Sequence, residues 1–176
     1  VKVEIPVEKV TPSTVAILVR ADGTEELVKT SVVTGDGVAL KLDGSATVKI
    51  IDNAKNFTDT NGHWAGAAID FVTAREMFAG TNAATFTPDA NMTRAQMMTV
   101  LARFDGEDTT GGSVWYEKGM EWAKRNGVSD GSNPDGNITR EQLATMLWKY
   151  AGSPAAAGGM DRFPDAGKVA DYASDA

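Results

Sequence analysis

The hydrophobic pattern changes its period once along the chain. In "VKVEIPV", Val1, Val3, Ile5 and Val7 alternate with other residues, the pattern of a half-buried strand. "TVAILVR" is β-branched and apolar, "ADGT" at 21–24 is a turn signal, and "EELVKTSVV" follows, which predicts a hairpin. "TGDG" at 34–37 and "LDG" at 42–44 mark further turns, and "ATVKII" at 46–51 predicts a last strand. The expectation for 1–52 is four or five strands and no helix. These strands are expected to stay apart from any helical core and to form the end of a larger β domain.

From Phe57 the period becomes 3.6. "HWAGAAIDFVTAREMFAG" at 63–80 puts Trp64, Ala68, Ile69, Val72 and Met77 on one face of a helix. After a loop, "MTRAQMMTVLARF" at 92–104 predicts a second helix. The layout then recurs. Aligning Trp64 with Trp115 places Ile69 on Met120, Phe71 on Trp122 and Gly80 on Gly131, and "ITREQLATMLWKY" at 138–150 rewrites the second helix. A third copy, "FPDAGKVADYASDA", starts at 163 and stops inside its first helix. A repeat of about 50 residues is too small to bury its own apolar face, so the copies must pack on neighbours. The expected organisation is a β module at 1–54, repeats at 55–108 and 109–155, and the start of a third at 156–176. The fold class is α+β.

Composition removes several functions. The 176 residues carry a net charge of −7, which argues against a nucleic-acid partner. No apolar run approaches the ~20 residues that span a bilayer, so membrane insertion is not expected. The absence of cysteine excludes disulfides, thiolate metal sites and a cysteine nucleophile. His63, the single histidine, reads as a capping or surface residue. Carboxylates are plentiful but no pair is set apart by spacing, so no catalytic residue, cofactor or metal is expected. Asn133, Asp135, Gly136 and Ile138 match places in an EF-hand loop, but Gly131 and Gln142 stand where its first and last acidic ligands belong. Residue 1 is Val, and the chain reads as a mature piece or a fragment.

The repeated helix phrase has two layers of meaning. Thr93 and Thr139 are N-caps, and Gln96 and Gln142 three residues later complete capping boxes. Met92 with Met97, and Ile138 with Leu143, form hydrophobic staples. Val100, Leu101 and Phe104 correspond to Met146, Leu147 and Tyr150 along a stripe expected to be buried. Arg94 and Arg140 are not explained in this way. Both fall at the first helical position, where the helix dipole disfavours a cation by about 0.3–1 kcal/mol. Either an anion is expected there, held by free N–H groups and the guanidinium fork, or each arginine pairs with a neighbouring carboxylate such as Asp59 or Asp165. Trp64 and Trp115, which open helices, are either sugar-stacking or core residues, whereas Trp122 and Trp148 read as core.

These residues resemble S-layer homology repeats. Repeat one supplies Phe57, Asp59, Trp64, Ala65, Gly80, Phe86, Pro88 and the run Met92-Thr93-Arg94-Ala95. Repeat two supplies Trp115, Gly127, Gly131 and Ile138-Thr139-Arg140-Glu141, and repeat three supplies Phe163, Asp165 and Tyr172 in the Trp position. The resemblance covers 57–176. It departs from the family pattern at Gln96 and Gln142, where Glu is usual, and at Glu76-Met77, where Gly-Ile is usual. Repeat two has no clear F-x-D, and repeat three has no second helix and no arginine.

The resemblance implies a pseudo-threefold bundle of helix–loop–helix units with an incomplete third repeat. It implies grooves that bind secondary cell wall polysaccharide through a pyruvylated sugar. Arg94 and Arg140 would meet its carboxylate, with Trp64, Trp115, Asp59, Gly80 and Gly131 at the binding site. The implied protein is a non-enzymatic anchor, extracellular, at the cell wall or S-layer. Two alternatives stand beside this: a surface-layer assembly module that contacts other copies of itself, and an accessory region of a wall-active enzyme.

Overall fold

The computed structural model describes residues 1–156, 158–160 and 163–176. The chain forms two compact units, Val1–Ala90 and Asn91–Ala176.

The first unit contains six strands, β1 (Lys2–Pro6), β2 (Thr14–Val19), β3 (Glu25–Leu27), β4 (Val32–Val33), β5 (Gly37–Lys41) and β6 (Thr47–Asp52), then helix α1 (Gly66–Ala74). They make two antiparallel sheets, in the orders β1-β5-β4 and β3-β2-β6. The β2–β3 hairpin closes through Arg20 N–H to the Thr24 carbonyl, over the expected turn at 21–24, and β4–β5 closes through Thr34 N–H to the Gly37 carbonyl. One apolar cluster draws on both sheets: Ala16 with Val38 and Leu40, flanked by Val3, Ile5, Val48 and Ile50. A second cluster lies on the other face of β2, where Val15 and Ile17 pack on Ala74 of α1. Strand β2 is thus covered on both faces, which is why "TVAILV" is a continuous apolar run while β1 alternates.

The expectation that the strands stay apart from helical structure is therefore wrong for α1. The β3-β2-β6 sheet has a face to cover, and α1 packs on it at Val15 and Ile17. The helix also rotates and shortens relative to its pattern. Its buried residues are Ile69, Thr73 and Ala74, whereas Trp64 is 90% exposed and Ala68 is exposed.

Arg75 at the C-cap ends the helix by turning inward. It is wholly buried, and its guanidinium donates to the carbonyls of Ser31 (2.8 Å), Pro12 (3.1 Å), Phe71 (3.0 Å) and Thr14 (3.1 Å). It also stacks 3.5 Å from the centre of the Phe71 ring. Burial without a carboxylate lowers its pKa to about 10, so it stays charged at neutral pH. Glu76 follows with φ 56°, the left-handed conformation that Gly127 adopts 51 residues later with φ 67°. The departure at Glu76 thus places a side chain where glycine is free of strain.

Among its described residues the second unit holds α2 (Arg94–Phe104), α3 (Glu117–Arg125), α4 (Arg140–Tyr150) and short 3-10 turns at Ala166–Lys168 and Asp171–Ala173. Met97, Met98, Leu101, Ala102, Trp122, Ala123, Val128 and Met146 form its core, with Met92, Ile138 and Leu143 packed against it. Both staples therefore reach the core. Gly119 lets α3 approach α2 closely, since a Cβ there would lie 2.7 Å from Thr99 Oγ and 2.8 Å from Thr99 Cα. Trp122 donates to Asp105 Oδ2 at 3.0 Å, and Tyr150 donates to Asp105 Oδ1 at 3.3 Å. Leu147, expected on the buried stripe, is exposed, because the core contact of α4 is made by Leu143, Met146 and Tyr150. The third copy does not form the helix its pattern suggests. It runs as the two 3-10 turns, with Ala173 buried.

Candidate functional site

The two rewritten helix starts have the same cap. Thr93 and Thr139 are extended, each hydroxyl accepts from the N–H three residues on, and Gln96 and Gln142 return the bond to the cap N–H. The starts differ in everything beyond the cap.

The α2 start is closed by the loop that precedes α4. Arg94 N–H donates to the Gly136 carbonyl and Ala95 N–H to the Pro134 carbonyl, both at 2.9 Å, while Ile138 N–H donates to the Met92 carbonyl. Thr93 and Asn137 form an isolated antiparallel bridge. The Arg94 side chain, only 11% exposed, donates to the Ser132 carbonyl (2.8 Å), Ser129 Oγ (3.2 Å) and Asp130 Oδ1 (3.1 Å). Its carboxylate partner is thus Asp130, neither Asp59 nor Asp165. Ser132, through its N–H and hydroxyl, and the Arg94 charge hold the Asp130 carboxyl below its ordinary pKa of 3.8. Gly131 fixes the same loop, with φ 74° and no room for a Cβ against Lys124 and Met120.

The α4 start is open. The N–H groups of Arg140 and Glu141 meet no acceptor among the described residues, and the Arg140 guanidinium is exposed and meets none either. Glu141 faces the third copy: its carboxylate accepts from Ala170 N–H (3.1 Å) and from the Tyr172 hydroxyl (3.0 Å). Partial desolvation and the Glu141 carboxylate push the Tyr172 phenol above its ordinary pKa, while Thr139 and Arg94 oppose the shift. Glu141 thus ties the α4 start to the third copy. Sequence reasoning placed Tyr172 in the Trp position but gave Glu141 no part.

In the first unit, Asp59 organises the loop before α2. Its oxygens accept from Phe86 N–H (2.9 Å) and Thr87 N–H (2.7 Å), and these bonds lower its pKa. Gly80, at φ 75°, sits against the Phe57 ring, where a Cβ would approach to 2.6 Å. His63 lies ahead of α1: its Nδ1 accepts from Ala65 N–H at 3.2 Å and its Nε2 lies 3.2 Å from Asp89, while the helix has no side-chain cap. Trp64 and Trp115 are 90% and 56% exposed, so neither is a core residue, whereas Trp122 is 2% exposed. No helix among the described residues is long and apolar enough to cross a membrane.

Helices α2 and α4 are opened by the same Thr-Arg cap, and the start of α2 is closed by the loop that precedes α4. Residues 56–98 match the model of the S-layer homology domain, and this segment of the chain is an S-layer homology domain. Domains of this family generally anchor proteins to the cell wall; they are anchoring modules and not catalysts, and they imply association with the cell surface. No curated protein and no solved structure matches the chain.

Proposed function

We propose that the chain anchors a surface protein outside the cell by binding secondary cell wall polysaccharide, and that Arg140 is its principal contact with a carboxylate on that polymer, such as a pyruvyl ketal. The observation that carries this reading is the contrast between the two arginines. The Arg94 fork is filled by Ser129, Asp130 and Ser132, whereas the Arg140 fork is exposed and meets no acceptor among the described residues. A guanidinium in that state suits bidentate capture of a carboxylate. The exposed rings of Trp64 and Trp115 offer faces for sugar stacking. Asp59, Gly80 and Gly131 contribute by holding the loops in shape, and Arg94 by fixing the 129–132 segment.

Titration of purified, pyruvylated wall polymer against wild type, Arg140→Lys and Arg140→Gln tests the reading. Lysine keeps the charge and loses the fork, so affinity is expected to fall by about tenfold, and further with glutamine. Equal affinity in all three proteins would remove Arg140 from the site. Polymer stripped of its ketal is expected to bind wild type and Arg140→Gln alike.

A further inference from the structure

The chain contains two Asn-Gly pairs, Asn61-Gly62 and Asn126-Gly127. An asparagine before a glycine can close on itself, because the glycine nitrogen reaches the asparagine Cγ with no Cβ in the way. By sequence the two pairs are equivalent. Both are also exposed, both glycines have positive φ (72° and 67°), and a Cβ on either would meet nothing within 4 Å. What separates them is hydrogen bonding.

Asn126 is tied at both reacting groups. It is the C-cap of α3, and its Nδ2 donates to the Trp122 carbonyl at 2.9 Å. Its own N–H donates to the same carbonyl at 3.0 Å, and Gly127 N–H donates to the Lys124 carbonyl at 3.1 Å. Trp122 is a core residue, so the carbonyl that holds the amide is itself fixed. Ring closure at Asn126 must first take the side-chain amide from Trp122 and the attacking nitrogen from Lys124. Asn61 has no such ties. Asn61 and Gly62 are the centre of a turn closed by His63 N–H to the Thr60 carbonyl at 3.0 Å. The Asn61 side-chain amide and Gly62 N–H meet no partner among the described residues.

We propose that Asn61 is a site of spontaneous covalent self-modification, and that the fold protects Asn126 from the same reaction. The Gly62 nitrogen gives its proton to hydroxide and attacks Asn61 Cγ. The new C–N bond forms, the Cγ–Nδ2 bond breaks, and ammonia leaves, taking a proton from water. Water then opens the cyclic imide. Cleavage of the new bond returns an aspartate in the ordinary chain. Cleavage of the original Asn61–Gly62 peptide bond leaves isoaspartate, in which the chain runs through Cγ. The net change consumes one water, releases one ammonia and leaves a carboxylate. Either product adds a negative charge to the loop that carries Asp59 and the exposed Trp64. Isoaspartate also adds a main-chain carbon inside the 60–63 turn, directly before His63, whose Nδ1 accepts from Ala65 N–H.

Ageing the full chain in mildly alkaline buffer, followed by peptide mapping with mass spectrometry, tests the proposal. In the native protein the Asn61 peptide should convert to aspartate and isoaspartate about tenfold faster than the Asn126 peptide, the worth of the two hydrogen bonds that Asn126-Gly127 must first give up. In concentrated guanidinium chloride those bonds are gone, and the two rates should converge. Asn61→Gln keeps the amide but must close a larger and slower ring, so the native variant should lose most of the early ammonia release of wild type. Native rates within a factor of about two of each other, less than one such bond is worth, would overturn the proposal. So would a faster reaction at Asn126. A difference between the pairs that survives denaturation would place its cause in the flanking sequence and overturn protection by the fold. Unchanged ammonia release from Asn61→Gln would remove Asn61 as the reacting residue.

Discussion

Helices α2 and α4 begin with almost the same words and end in opposite states. Each has a threonine cap, a glutamine that returns the bond, a staple into the core and an arginine at its first position. At α2 the next repeat's loop supplies two carbonyls and the 129–132 segment surrounds the guanidinium. At α4 the donors and the guanidinium meet no acceptor among the described residues. The comparison teaches that an arginine at a helix start is not in itself a binding residue. In one copy it is a structural tie between repeats, and in the other it meets no acceptor among the described residues.

The comparison breaks most completely if α3 and the loop after it are forced away from α2. Gly119→Ala puts a methyl within 2.7 Å of Thr99 Oγ, and overpacking of this kind costs about 3 kcal/mol. Chemical denaturation should register that loss, and a variant as stable as wild type would show that α2 and α3 are not held by this close approach. A smaller effect separates the arginines. Arg94→Ala is expected to cost about 1.5 kcal/mol through its charged hydrogen bonds, the exposed Asp130 pair contributing little of it. Arg140→Ala should stay within about 0.5 kcal/mol of wild type. If the two substitutions cost the same, the starts are not in different states.

The caps should differ least, since their local chemistry is shared. Thr93→Ala and Thr139→Ala are each expected to cost about 1 kcal/mol in thermal melts. Loss of neither would discard the capping boxes. The smallest effect is acid loosening of the closed start. Because the Asp130 carboxyl is held below its ordinary value of 3.8, its contribution is fully present above that value and is lost as the pH falls through the lowered one. Amide resonances of Ser132 should follow this titration, while those of Arg140 and Glu141 do not shift with it. Movement of both sets together would mean that the two starts share one environment.

Much of the architecture was legible along the chain. Turns at 21–24 and near 35–37, the alternation in β1, both capping boxes and both staples depend on neighbours within a few residues, where local geometry decides the outcome. The extent of α1 was misread because its pattern does not show that Arg75 turns inward. Four carbonyls from β2, the chain on either side of it and α1 itself hold that guanidinium, and three of them are distant in sequence. Trp64 and Trp122 illustrate the same limit for the site. Both are tryptophans in segments with a helical pattern, but one is almost wholly exposed and the other is core.

The sequence by itself determined the period of each segment, the repeat, the caps and the placement of an arginine at each start, because all of these are written in residues close together. Only the tertiary structure decided that α1 covers the β2 sheet and that Glu141 turns to Ala170 and Tyr172. It alone also decided that Arg94 is spent on Asp130 and its loop while Arg140 meets no acceptor among the described residues. The physical reason is that a cap is satisfied within one helical turn, whereas the donors and charge beyond it are satisfied by whichever loop the fold brings alongside.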